Sequence, residues 1–145
     1  MWGSWSAYEF SDAIVNQKIY DRPRIARYVL IALEEAFKHK EVVDTTSATI
    51  EHVMPQTLSD EWKLAIQGDY TAIHDRWSDT LGNLTLTSYN SELGNMPFEE
   101  KKNLLKNTHF ELTRWINSHE VWDASEIETR GRFLSEMALV RWSRD

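Results

Sequence analysis

The 145-residue chain contains no cysteine, which excludes disulfides, thiol catalysis and every Cys-ligated zinc site, so any bound metal must be held by oxygen and nitrogen ligands. It has no apolar run approaching the ~20 residues that cross a bilayer, and its N-terminus lacks the basic-then-apolar pattern of a secretory signal. No membrane partner is expected, and the expected location is cytoplasmic. Basic residues are also scarce: 16 Lys and Arg stand against 23 Asp and Glu, a net charge of −7. That balance opposes nonspecific attraction to nucleic acid, whose affinity comes largely from cations neutralising phosphates. A nucleic-acid function would therefore need a local basic surface, a metal ion, or a neighbouring domain that holds the strand.

Apolar side chains are plentiful. Hydrophobic residues make up 41% of the chain, with seven Trp, five Tyr and five Phe, enough to build a core and to exclude intrinsic disorder. One domain is expected over 21–145, preceded by an aromatic-rich arm at 1–20 with only a short helical turn around 12–18.

Helical spacing is clear after Asp21, which is placed to cap. Pro23 falls in the first turn, and Ile25, Tyr28, Val29, Ala32, Leu33, Ala36 and Phe37 repeat on one face to about residue 40. Residues 45–53 favour a strand, with Ala48, Ile50 and His52 on one face and Thr49, Glu51 and Val53 on the other, until Pro55 ends it. A mostly helical insertion follows at about 57–81, broken at Gly68. The alternation Asn83-Leu84-Thr85-Leu86-Thr87 then reads as a second strand whose leucines face the core, able to pair with the first across the long insertion.

Beyond the loop at Asn95 to Pro97, helices are expected over about 97–107, 110–119 and 125–142. Asp123 and Glu126 are spaced as a capping box for the last. The fold class is α+β, predominantly helical, with a small two-stranded centre surrounded by helices.

Four segments carry chemistry: Ile50-Glu51-His52-Val53-Met54-Pro55-Gln56, Leu81-Gly82-Asn83-Leu84-Thr85-Leu86, Asn90, and Pro97-Phe98 followed by Lys101 and Lys102. Singly, each has a plain structural reading: His beside Glu as a surface or core pair, Asn after Gly as a turn residue, lysines as a solvated helix face. In this order the set resembles the HNH (ββα-metal) nuclease superfamily. It is most similar to the C-terminal nuclease domain of GmrSD-type restriction and phage-defence proteins, over about residues 22–142, where Trp122, Arg130 and Trp142 also fit.

The resemblance implies a ββα-metal core and a metal-dependent endonuclease that hydrolyses phosphodiester bonds in DNA. His52 would be the general base, Glu51 and Asn90 the ligands of Mg²⁺ or Mn²⁺, and Asn83 the residue that fixes the loop or orients His52. Lys101 and Lys102 would contact flanking phosphates. Asn95 competes with Asn90 for the ligand position.

The chemistry suits those residue types. Neutral imidazole is a base matched to neutral pH, and carboxylate and amide oxygens favour hard cations. The resemblance also implies a nucleotide-dependent recognition domain as partner, N-terminal or separate. The alternative is a catalytically inactive module of the same fold that binds nucleic acid or a partner protein. No Gly-rich phosphate loop and no Gly-x-Ser-x-Gly pattern supports a small-molecule enzyme.

Overall fold

The computed structural model describes residues 5–37, 43–88 and 93–142. Among them are seven α-helices, α1 (Ala7–Asn16), α2 (Pro23–Glu35), α3 (Asp60–Ala65), α4 (Tyr70–Trp77), α5 (Phe98–Leu105), α6 (Glu111–Asn117) and α7 (Ala124–Arg141), and two strands, β1 (Thr49–His52) and β2 (Leu84–Thr87). The strands pair antiparallel with Thr49 opposite Thr87 and His52 opposite Leu84. The fold is thus α+β, mostly helical, around a two-stranded sheet, as the residue patterns led us to expect. No helix among the described residues is long and apolar enough to cross a membrane.

The arm at the N-terminus is more ordered than its weak periodicity suggests. Ser6 and Glu9 form a capping box, with the Glu9 N–H donating to Ser6 Oγ at 3.1 Å and the Ser6 N–H to Glu9 Oε1 at 2.9 Å, and this opens α1. Ile14 and Val15 are buried, and Val15 lies against Gly131 of α7.

Asp21 does not cap α2. It belongs to a 3₁₀ turn, Ile19–Asp21, and the helix starts at Pro23 with no side-chain cap. Pro at the first position suffices there because its missing N–H would have been unpaired anyway. The helix ends at Glu35, and the rest of the expected span to residue 40 falls partly outside the described residues.

The insertion is two short helices separated by Gly68, whose φ of +98° is left-handed and suits glycine. Asp69 accepts from the N–H groups of Thr71 and Ala72 and starts α4. The capping box of Asp123 and Glu126 opens α7 as expected.

Two apolar clusters build the core. Leu30 and Leu33 of α2 meet Leu84 and Leu86 of β2 and Leu134 and Ala138 of α7. Val53 and Met54, just past β1, meet Trp62 of α3, Ile116 of α6, and Trp122 and Ile127 around the start of α7.

Between the clusters runs Arg130, fully buried, donating to the carbonyls of Gly82 (3.0 Å), Leu84 (2.6 Å) and Leu112 (3.1 Å) and to Thr85 Oγ1 (3.1 Å). Burial pushes its guanidinium down to about 9, with the buried Glu34 opposing, so it remains charged at neutral pH. A charge so enclosed needs hydrogen bonds; its two terminal nitrogens make them here and pin β2 to α7, while Nε has no partner among the described residues. These bonds explain one departure from the expected half-buried strand, the burial of Thr85, whose Oγ1 accepts from Arg130; Thr87 is buried as well.

Gly82 completes the junction. A Cβ there would lie 2.1 Å from the Ile127 carbonyl oxygen, so no larger residue lets α7 approach the turn before β2.

Candidate active site

β1 ends at His52, and the chain beyond is held by Asn83. The Val53 N–H donates to the Asn83 carbonyl at 3.0 Å. The Asn83 side chain then accepts from the Met54 N–H (2.8 Å) and Trp122 Nε1 (3.0 Å), and donates to the carbonyls of Met54 and Ser78, both at 2.9 Å. Each polar atom of this fully buried amide is engaged. Asn83 therefore fixes the loop after His52 and does not touch the His52 ring, which is one of the two roles its position suggested.

His52 is 7% exposed. Its Nε2 lies 3.0 Å from Asp79 Oδ1, and the Tyr20 ring packs edge-on against the imidazole with centroids 4.4 Å apart. Burial pushes the His52 pKa below its ordinary 6.5; the Asp79 carboxylate opposes this, while the nearby Lys101 and His74 side chains add to it. The ring is therefore neutral at pH 7, the state a general base needs.

Glu51 is also buried, and its Oε2 accepts from Lys101 Nζ at 2.7 Å. The same ammonium donates to the carbonyls of His52 (2.8 Å) and Val53 (3.0 Å). Burial raises the Glu51 pKa and lowers that of Lys101, each partner countering the other's shift.

Lys101 is 1% exposed. Instead of offering a cation to a flanking phosphate it is an internal post holding the end of β1, because all three of its donors are satisfied there. Lys102 donates to the His119 carbonyl at 2.9 Å and pairs with Glu99 at 3.1 Å, so its ammonium too is largely spent on its own fold.

Alternation along a strand sends Glu51 and His52 to opposite faces. Both nevertheless line one open cleft of about 470 Å³ where β1 ends and Pro55 turns the chain, together with Tyr20, Gln56, Gly94 and Asn95. Asn90 lies outside the described residues, while its competitor Asn95 is on the cleft wall. His74, beside Asp75 in the sequence, is bound by Nε2 to the Pro55 carbonyl at 2.9 Å.

Asp79 was not legible as a site residue. It falls at the end of an insertion whose aromatic content suggests packing alone, and the adjacent pair His74-Asp75 draws attention first. The hairpin register held the signal: with His52 opposite Leu84, the residues just before the turn at Leu81–Asn83 must return beside the end of β1.

Among the described residues no group of three or more His, Asp or Glu is gathered as a metal cage. The donor set at the cleft still fits a hard cation. Glu51 Oε1 has no hydrogen-bond partner among the described residues, and the Asn95 amide borders the same space. Mg²⁺ commonly takes only one or two carboxylates from protein and fills its shell with water and substrate oxygens.

No curated protein matches the chain. The family model described as GmrSD restriction endonucleases, C-terminal domain, matches residues 6–137, which takes in both strands, the insertion and the cleft.

Proposed function

We propose that this chain, which belongs to the family of GmrSD restriction endonuclease C-terminal domains, is the DNA-cutting part of a restriction or phage-defence system and works as an HNH-type, Mg²⁺- or Mn²⁺-dependent endonuclease. The observation that carries the reading is the convergence of a neutral His52 imidazole and the Glu51 carboxylate on one open cleft.

In this reading His52 takes a proton from the attacking water. Glu51, with Asn90 or Asn95, would hold the cation, which when bound neutralises charge on the scissile phosphate and the leaving oxygen. Lys101 keeps the Glu51 carboxylate in place from inside the fold. Asn83 sets the path of residues 53 and 54, so that His52 and Pro55 face the cleft from a fixed backbone.

The net charge of −7 and the internal engagement of Lys101 and Lys102 leave little of the phosphate grip to this region of α5. We assign that grip to a nucleotide-dependent recognition domain acting with this one.

The test is incubation of supercoiled plasmid with the purified protein and Mg²⁺ or Mn²⁺, with and without EDTA. Nicked or linear product that EDTA abolishes is the expected result. DNA binding indifferent to EDTA, with no product under either metal, would point instead to a non-enzymatic binding module.

A further inference from the structure

Resting on the nuclease reading, we propose that Asp79 is a positioning residue that fixes His52 with its proton on Nε2, leaving Nδ1 as the atom that accepts a proton from water. An ionised carboxylate can only accept, so the 3.0 Å contact between Asp79 Oδ1 and His52 Nε2 requires the N–H on that nitrogen. The other ring nitrogen, Nδ1, has no hydrogen bond among the described residues. In a neutral imidazole that nitrogen carries the lone pair.

The backbone that carries the carboxylate is itself held. The Tyr20 N–H donates to the Asp79 carbonyl at 3.1 Å, the Thr80 N–H to the Trp77 carbonyl at 3.1 Å, and Asn83 Nδ2 to the Ser78 carbonyl at 2.9 Å. Residues on both sides of Asp79 are thereby tied down, and the Tyr20 ring closes on the imidazole edge-on. Ring rotation would cost both the Asp79 bond and the Tyr20 contact. His74 does not compete for Asp79, because its Nε2 is bonded to the Pro55 carbonyl.

The proton balance is simple. One O–H bond of water breaks and an N–H bond forms at Nδ1, while the electron pair left on oxygen forms the new bond to phosphorus. The bond from phosphorus to the leaving oxygen breaks, and that oxygen keeps its electron pair. The imidazolium faces the Asp79 carboxylate, and Nδ1 later gives its proton back to solvent or to the leaving oxygen.

Long-range ¹H–¹⁵N spectra of the ¹⁵N-labelled protein near pH 8 read the tautomer directly, without cleavage. His52 is expected in the Nε2–H form in the wild type and in a mixture of both tautomers in Asp79→Ala. In metal-dependent plasmid cleavage, Asp79→Ala should lower kcat by ~10-fold or more with KM within about twofold, and Asp79→Glu should recover part of the loss.

A wild-type His52 in the Nδ1–H form would overturn the proposal, and so would an Asp79→Ala variant that cuts at the wild-type kcat. Those outcomes leave the nuclease reading standing, whereas a wild type that never cuts removes that reading and this proposal with it.

Discussion

Lys101 and Glu51 meet at 2.7 Å with the ammonium fully enclosed, so α5 is fastened to β1 by a charge pair and two backbone carbonyls rather than by apolar packing alone. Removing one partner strands the other in the interior, which costs more than the pair itself contributes. Lys101→Met should destabilise the fold by about 3–5 kcal/mol in urea denaturation. The double variant Glu51→Gln/Lys101→Met should recover more than half of that loss, because no buried charge is left alone. A single variant within about 1 kcal/mol of wild type would contradict this picture.

Asn83 and Gly82 should be intolerant for different reasons. Asn83→Ala leaves four buried groups without partners, the Met54 N–H, the Trp122 Nε1–H and the carbonyls of Met54 and Ser78. At roughly 1–3 kcal/mol for a buried unsatisfied group, partly relieved by water, a loss of at least ~3 kcal/mol is expected. Gly82→Ala places a methyl group against the Ile127 carbonyl, backbone against backbone. It should cost at least as much or leave the protein insoluble. Thermal unfolding near the wild-type Tm for either variant would count against the junction described here.

Acid should weaken the fold through His52. Its folded-state pKa lies below the ordinary 6.5 because of burial, so on acidification the unfolded chain binds the proton first. The contribution is fully present above pH 6.5 and is lost as pH falls through the lowered value. Glu51 works the other way. Its raised pKa gives a contribution that is present below about 4.5 and lost as pH rises through the folded value. Tm measured from about pH 7.5 down to 5.5 should fall more steeply for wild type than for His52→Gln, which has no imidazole to protonate. Equal slopes would show that the His52 environment is not as apolar as its burial indicates.

What was legible in the sequence follows from range. The helical spacing after Pro23, the alternation from Leu84 to Thr87 and the Asp123–Glu126 capping box are local signals, and each produced the expected element. The approach of β1 to β2 across the insertion was also readable, because two short strands need a partner and only one was on offer. Asp21 was misread because the tight turn at Ile19–Asp21 occupies it before the helix begins. Arg130, Lys101 and Asp79 act at a distance, 46 residues from Leu84, 50 from Glu51 and 27 from His52. Their identity as charged residues argues for solvent, and only the packed fold shows that each has a buried partner. The burial of Thr85 was hidden for the same reason, since Arg130 supplies the donor that makes it possible.

The central claim is that the His52 imidazole is the base in a metal-dependent cut. The most direct test is plasmid cleavage with Mn²⁺ by wild type and His52→Ala side by side, at equal concentration and after thermal unfolding has shown both to be folded. A loss of ~10²-fold or more in kcat is the result expected of a missing general base, and a folded His52→Ala that cuts as fast as the wild type would contradict it.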